Sequence, residues 1–253
     1  MKRLRAHSMF ENNFYFLIQE QKSQDLSIIF LNIQSFNSNF GFQKVDIILL
    51  VECHNVLVTR QHASRLFEKK HRLEHFTSGT NEKYSCGQMC YIRNEHSNRV
   101  KFLADNAGPI GLYEQRNQRD LCELSLFEYK HTDETILLIL SIYKHPKYDV
   151  KNFFLDLNQF LDKNIQESHR PVSLYVVGDF NLDFNKKEEK NIREAMDVIE
   201  NKFYLIPLIR NAKTFKWMKD DRVHFSKLDW AFKNQNFKFQ VRSIAYDLWF
   251  SDR

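Results

Sequence analysis

Glycine and proline are scarce in this chain of 253 residues, which contains six glycines and four prolines. So few glycines exclude a collagen-like repeat, and the scarcity of both residues argues against long flexible linkers and disordered tracts. With 43% hydrophobic and 14% aromatic residues, the chain has enough apolar material for a large core. The length, together with the lack of an internal repeat or a change of composition, indicates one folded domain.

Cysteine is also rare, with four residues, of which only Cys86 and Cys90 lie close together. No second pair follows at the spacing of a zinc site, so we interpret the cysteines as thiols in a reducing compartment. The basic N-terminus continues into polar residues, and no run approaches the ~20 apolar residues of a membrane span. The sequence therefore predicts an intracellular protein without a signal peptide or a membrane segment.

The chain has no strong excess of one charge sign, because 37 basic residues face 32 acidic ones and the net charge is +5. This mild surplus is compatible with a polyanionic partner, but many ordinary cytosolic proteins share it. The lysine-rich stretch 186–190 is interpreted as a solvated loop or the start of a helix.

Four apolar runs predict the central strands of the fold. They occupy residues 26–32, 45–51, 136–143 and 172–178. Their continuous Ile, Leu and Val content is typical of strands that are buried on both faces. Residues 121–126 alternate instead, which predicts a half-buried strand. Helical stripes begin at Val150, with Asp149 placed as a cap, and at Ile192, and strand-like segments return in the last quarter.

Polar residues stand at or near the ends of the strand-like segments. In chain order they are Asn32, Glu52, Tyr143, Asp179, Asn181, Asp229 and the penultimate Asp252. Because strands of one sheet bring their end residues to a shared rim, we expect these side chains to converge. Such a cluster suits a divalent metal and a phosphate diester. Each residue alone also has a simpler interpretation, since Asn and Asp after a strand commonly form turns or cap helices.

The chemistry of phosphodiester hydrolysis explains these residue types. Glu52 is the natural ligand for Mg²⁺ or Mn²⁺, because Mg²⁺ is held by one or two carboxylates with water and substrate. Asp179 is the candidate general base or orienting group for the attacking water. Asn181 can donate to a phosphate oxygen without adding negative charge, and Tyr143 can do the same or stabilise the leaving group. No small organic cofactor is expected.

Six ordered segments resemble the motifs of the endonuclease/exonuclease/phosphatase superfamily. They read FLNIQS, VDIILLVE, IYKHP, VVGDFNLDF, SKLDWAF and the terminal SDR, and CGQMCYIRN resembles the glycine-bearing strand of that family. Several of them are similar to the apurinic-like endonuclease domains of transposons and retrotransposons. The resemblance implies an α/β fold, a four-layer sandwich of two central mixed β-sheets flanked by helices. It places this domain at residues 26–253 after an N-terminal extension at 1–25, and it implies Mg²⁺-dependent nicking of DNA and a nuclear location.

The resemblance supports the roles given above and adds three more residues. It makes Asn32 a support of the metal ligand Glu52, and it places Asp252 on the metal or phosphate side. It makes Asp229 the residue that orients a histidine. Where the family has Ser-Asp-His, this chain has Arg253 after the Ser-Asp pair. Arginine can neutralise a phosphate, but with a pKa above ~12 it does not exchange protons near neutral pH, so reduced catalysis is expected.

Three functions remain open at this stage. The leading one is a Mg²⁺-dependent endonuclease that acts on DNA, with impaired activity. The second is a nucleic-acid-binding module that keeps the fold without turnover, which the net charge and Arg253 would fit. The third is a small-molecule or lipid phosphodiesterase or phosphatase, which the transposon-like motifs disfavour. Fold alone does not choose among them.

Overall fold

The structure is a computed structural model of the full chain. It describes residues 10–11, 13–19, 26–32, 45–53, 60–77, 87–106, 122–130, 135–165, 173–186, 188–208, 215–219, 222–226, 229–234 and 240–246. For the strands within 10–19, 215–226 and 240–246, and for residues 31, 32 and 62, only the backbone is described.

The described residues form strands and a smaller number of helices. The strands are β1 (Phe10–Glu11), β2 (Asn13–Gln19), β3 (Leu26–Asn32), β4 (Ile47–Val51), β5 (His71–Phe76), β6 (Met89–Arg93), β7 (Val100–Asp105), β8 (Cys122–Lys130), β9 (Ile136–Lys144), β10 (Ser173–Asp179), β11 (Leu205–Pro207), β12 (Phe215–Lys219), β13 (Arg222–Ser226), β14 (Asp229–Asn234) and β15 (Gln240–Tyr246). The helices are α1 (Arg60–Arg65), α2 (Val150–Asn164) and α3 (Lys190–Asp197), with a 3-10 turn at Asn94–His96 and a π-helical turn at Val198–Lys202.

Two six-stranded sheets dominate the described part of the chain. The first sheet has the order β15-β2-β3-β4-β6-β5, and the second sheet has the order β11-β14-β10-β9-β8-β7. Both are mixed, because β3 runs parallel to β4 and β9 runs parallel to β10 while the other neighbours are antiparallel. A separate three-stranded sheet contains β1, β12 and β13.

The two large sheets pack face to face and bury an inner core between them. Its members come from both sheets and include Ile28, Phe30, Leu49, Ile139, Tyr175 and Val177. The outer face of the second sheet packs against α2 and α3, and the outer face of the first sheet packs against α1. The fold therefore has four layers, helix, sheet, sheet and helix, which confirms the predicted α/β sandwich.

The predicted helix from Val150 is confirmed together with its cap. Its apolar stripe is buried against the second sheet, and Asp149 Oδ1 accepts a hydrogen bond from the Asn152 N–H at 2.9 Å. A side-chain acceptor at this position satisfies an N–H that lacks a partner inside the helix. The lysine-rich stretch likewise leads into a helix, because α3 begins at Lys190.

The alternating segment 121–126 differs from its prediction as a half-buried strand. Eight of the nine residues of β8 are buried. The apolar alternate positions pack on α2, whereas the polar ones, Glu123 and Ser125, face the first sheet rather than solvent. Alternation marks two different environments, and here both of them are interior.

Strand β2 lies within the stretch that was expected to be an N-terminal extension. Its backbone pairs with β3 on one side and with β15 on the other, so sheet pairing begins before Leu26. Within the described residues, no helix is long and apolar enough to cross a membrane.

Candidate active site

A row of four polar side chains crosses the second sheet near one end. In spatial order they are Glu123, Tyr143, Asp179 and Asp229, and each is directly paired with the next across β8, β9, β10 and β14. Directly paired residues on neighbouring strands project from the same face of a sheet. Tyr143 belongs to the inner core, so the row faces the first sheet, and all four residues are buried.

Glu52 meets this row from the first sheet, because it directly follows β4. The Tyr143 hydroxyl donates a hydrogen bond of 2.6 Å to Glu52 Oε1. This bond is a direct contact between the two sheets. Burial raises the pKa of Tyr143 well above its ordinary value, and the negative charge of Glu52 and this hydrogen bond raise the pKa further. The phenol therefore stays protonated and acts as a donor at neutral pH.

The backbone of Glu52 is strained, because its φ of 56° lies in the left-handed region. For a residue other than glycine this conformation costs roughly 1–2 kcal/mol. Strain of this kind persists where the surroundings fix the backbone, and it occurs often at functional sites. A carboxylate on a strained backbone at the end of a buried strand supports the prediction that Glu52 belongs to a functional site.

Asp179 and Asn181 form a tight turn at the end of β10. Asp179 Oδ1 accepts from the Asn181 N–H at 2.8 Å, and Asn181 has a φ of 47°, which asparagine tolerates better than most residues. The Asn181 Nδ2 group donates to the Lys144 carbonyl oxygen at 2.8 Å, which ties the turn to the end of β9. An amide nitrogen carries two hydrogens, so the second one can be donated to a ligand.

Gly178 explains why this turn can approach β9 so closely. A Cβ atom at this position would overlap the backbone carbonyl and the side chain of Ile142. The glycine in GDFN therefore sets the spacing of the two central strands that carry Tyr143 and Asp179.

Two buried charged residues of this region were missed from the sequence. Lys144 is 1% exposed and its Nζ donates to the His145 carbonyl oxygen at 3.1 Å. Burial lowers the pKa of Lys144 to about 8, although the nearby negative charge of Asp179 opposes that shift. The available signal was a lysine directly after the apolar run that ends at Tyr143.

Glu123 is the second missed residue, and its signal was hidden in the segment interpreted as half-buried. Both of its carboxylate oxygens accept from the Gly87 N–H at 2.9 Å. The contact links the second sheet to the glycine-bearing segment before β6.

The structure thus brings together five of the predicted site residues and leaves others partly or wholly undescribed. Glu52, Tyr143, Asp179, Asn181 and Asp229 lie at one rim. Asn32 ends β3 and pairs through its backbone with Val51, which places it beside Glu52, but its side chain is outside the described residues. Asp252 and Arg253 also lie outside the described residues.

The oxygen donors at this rim fit the chemistry of Mg²⁺. Among the described residues no group of three or more His, Cys, Asp or Glu side chains is arranged to hold a metal. Mg²⁺ does not need such a cage, because it is commonly bound by one or two carboxylates and retains several waters. Cys53, Cys90 and Cys122 are buried thiols, and burial raises the pKa of Cys90, so a role for that residue as a thiolate ligand is disfavoured.

Comparisons with known proteins identify similar structures at low sequence identity. No protein-family model and no curated protein sequence matches the chain. The endonuclease domain of TRAS1, a telomere-specific non-LTR retrotransposon, has a TM-score of 0.55 and 13% identity over 83% of this chain and 85% of its own. An endonuclease/exonuclease/phosphatase protein from Bacteroides vulgatus has a TM-score of 0.54 and 12% identity over 88% of this chain and 98% of its own. D. rerio TDP2 complexed with a single-stranded DNA product has a TM-score of 0.50 and 14% identity, with 83% of each chain covered.

Proposed function

We propose that this chain, whose fold is that of the endonuclease/exonuclease/phosphatase proteins, is a metal-dependent phosphodiester hydrolase that acts on DNA. The observation that carries the proposal is the bond of 2.6 Å between Tyr143 and Glu52. It joins a carboxylate of the first sheet to the polar row of the second sheet at the rim where Asp179 and Asn181 form their turn. The same rim was expected from the ends of the strands in the sequence.

Four residues of the rim have a defined task in this proposal. Glu52 would hold Mg²⁺ or Mn²⁺, which when bound neutralises phosphate charge and acts as a Lewis acid. The Tyr143 hydroxyl orients the Glu52 carboxylate by donating to one of its oxygens. Asp179 orients the attacking water and accepts its proton. Asn181 donates its second amide hydrogen to a phosphate oxygen.

Lys144 contributes to the electrostatics of the rim from the helix side of the second sheet. With a pKa of about 8 it is largely protonated at neutral pH, and its charge interacts favourably with Asp179. It therefore balances part of the negative charge of the row without entering it.

Three observations support DNA as the substrate. The sequence motifs resemble those of mobile-element endonucleases, and the net charge is +5. Two structural neighbours are a retrotransposon endonuclease domain and a protein bound to a single-stranded DNA product. Binding should weaken steeply as salt rises, because phosphate contacts release counterions.

Arg253, in the position of the family's histidine, leads us to propose a reduced rate of DNA nicking. A positioned acid–base group typically contributes about 10²–10⁴-fold in rate, and arginine does not exchange protons near neutral pH. We therefore expect weak nicking by the native chain and a gain in Arg253→His. A native rate equal to that of Arg253→His would contradict the impairment.

The test is a plasmid-nicking assay with and without Mg²⁺. Glu52→Gln should lower the rate by at least about 100-fold, because it removes the anionic metal ligand. Glu194→Gln, an exposed glutamate on α3, serves as the matched control and should nick at the native rate. A native nicking rate that still depends on Mg²⁺ in Glu52→Gln would refute the ligand role.

The nicking assay, together with a measurement of DNA binding, separates the proposal from a binding module without turnover. DNA binding that depends on salt, with no nicking by the native chain or by Arg253→His, would favour the binding module, which Arg253 and the net charge suit. Hydrolysis of bis(p-nitrophenyl) phosphate without any nicking of DNA would instead favour a small-molecule substrate.

A further inference from the structure

We propose that Glu123 is a positioning residue for Glu52 and that it acts through the Gly87 peptide. The inference rests on the proposed function and adds a residue to the same site. Glu123 belongs to β8 in the second sheet, whereas Glu52 follows β4 in the first sheet, so the influence crosses the inner core.

The first link joins Glu123 to the segment that precedes β6. Both oxygens of its buried carboxylate accept from the Gly87 N–H at 2.9 Å. The Gln88 side chain donates to the Glu123 carbonyl oxygen, also at 2.9 Å. Glu123 therefore fixes residues 87 and 88 with its side chain and its backbone together.

The second link joins Gly87 to the residue after Glu52. The Gly87 carbonyl oxygen accepts from the Cys53 N–H at 3.2 Å. Gly87 has a φ of 104°, a conformation open to glycine and closed to most other residues. The N–H of Gly87 thus bonds to a carboxylate of the second sheet, and its carbonyl oxygen bonds to the turn that follows β4 in the first sheet.

The third link is the turn itself. Glu52 holds a left-handed φ of 56°, which the Cys53 N–H bond to Gly87 helps to maintain. The Glu52 carboxylate then accepts from Tyr143, and Tyr143 is the cross-strand partner of Glu123. The contacts form a closed ring from Glu123 through Gly87, Cys53, Glu52 and Tyr143 back to β8.

A ring of this kind lets Glu123 orient the proposed metal ligand Glu52 through the Gly87 peptide. Without the carboxylate, the Gly87 peptide loses its anchor and the strained turn at Glu52 can relax. Groups that orient a metal ligand from behind typically contribute about 10–100-fold to metal affinity.

The experiment measures Mn²⁺ affinity of the full chain by calorimetry for Glu123→Ala, Glu123→Gln and a control. Glu123→Ala should weaken Mn²⁺ binding by about 10–100-fold. Glu123→Gln should recover part of the loss, because its amide oxygen still accepts from the Gly87 N–H. Glu128→Ala removes another buried glutamate of the same strand and should leave Mn²⁺ affinity unchanged.

Two results distinguish failure of this inference from failure of the proposed function. Glu123→Ala binding Mn²⁺ within about two-fold of the native chain, while Glu52→Gln loses binding, would overturn the inference and leave the metal site intact. Native Mn²⁺ binding in Glu52→Gln would overturn both, because Glu52 would not be the ligand.

Hydrogen exchange in the native chain tests the same link if Glu123→Ala does not fold. Coupling between two sites is reciprocal, so saturating Mg²⁺ should slow exchange of the Gly87 and Cys53 amides by at least about five-fold. The Arg93 amide, which bonds to the Asp46 carbonyl oxygen away from the rim, is the internal control and should not change. Unchanged exchange at Gly87 would overturn the proposal.

Discussion

Strand β4 carries a buried carboxylate next to each of its ends, and the two carboxylates are held in different ways. Asp46 precedes the strand and is 4% exposed, while Glu52 follows it and is 5% exposed. Asp46 accepts from the backbone and the hydroxyl of Ser27 at 2.8 and 2.6 Å. It also lies 3.1 Å from His96 and 3.4 Å from Arg93.

The contact described for Glu52 is with a neutral phenol, and its backbone is strained. Burial therefore does not distinguish the two carboxylates, whereas the contacts described for each of them differ. An acid surrounded by hydrogen-bond donors and an arginine stabilises the fold, because its charge is compensated from within the protein. An acid held in position by a hydroxyl and a fixed turn is suited to a cation from outside. The comparison predicts that the two ends respond to mutation in opposite ways.

The largest expected effect is at the rim, in Asp179→Asn. The amide oxygen still accepts from the Asn181 N–H, so the turn and the stability should survive. The charge that handles the attacking water is lost, which should lower the nicking rate by about 10²–10⁴-fold. The rate is measured on plasmid DNA, with Asp162→Asn on an exposed face of α2 as the matched control. A large fall in melting temperature would show that Asp179 is structural, like Asp46.

The next effect is at the opposite end, in Asp46→Ala. Removing the carboxylate leaves the Ser27 N–H without its acceptor and takes away the contact of His96, while Arg93 keeps its ion pair with Glu95. Breaking a buried charged network in this way typically costs about 3–5 kcal/mol, and urea unfolding measures it. Asp46→Asn should cost less, because it keeps an acceptor for Ser27. Activity per folded molecule should not change, and a loss of activity without a loss of stability would break the comparison.

The smallest effect is the response to acid of His75, which lies between the sheets at their edge. It contacts the Ser125 hydroxyl at 3.2 Å and stacks on Phe102. Burial, helped by the positive charge of Arg60, lowers the pKa of His75 to about 4. Since the unfolded chain takes up a proton near the ordinary pKa of ~6.5, stability should fall as pH drops from 6.5 towards 4. The fall should be smaller than the roughly 3 kcal/mol that this shift alone gives, because Asp105 Oδ2 lies 3.5 Å from His75 Nε2 and favours the charged ring.

Urea unfolding across this pH range measures the slope of stability against pH, and His75→Gln should make that slope shallower.

At Asp46, burial alone would raise the pKa, but hydrogen bonds from His96 and Ser27 outweigh burial and hold the pKa below the ordinary value. Its contribution is therefore present above the ordinary pKa of 3.8 and is lost at lower pH. An unchanged slope in His75→Gln would show that other groups carry the response between pH 6.5 and 4.

The central strands and the rim could be predicted from the sequence because their signals are local. A continuous apolar run indicates burial on both faces wherever it pairs, and a polar residue at its end is visible without knowing the partner strand. Thus β3 and β9 begin where they were expected, and Glu52, Asp179 and Asn181 were placed at strand ends.

Glu123 and Lys144 could not be found in this way because their environment is not local. Glu123 alternates with apolar residues, a pattern that predicts exposure to solvent, and Lys144 directly follows an apolar run. Only the packing of the neighbouring layers makes these two residues interior. The bond from Tyr143 to Glu52 has the same origin, since the two residues are 91 positions apart and meet only when the sheets pack.

The register of the second sheet determines which side chains form the polar row. Each residue advances a strand by about 3.3 Å and reverses the face, so one residue inserted into β10 before Asp179 would turn that side chain towards α2 and α3. Two inserted residues would restore the face but move the carboxylate about 6.6 Å along the strand, away from Tyr143. Related chains that keep this chemistry should therefore differ freely in the identity of core residues and in loop length. In those chains, the number of residues from the first paired position of each strand to its polar residue at the rim should not vary.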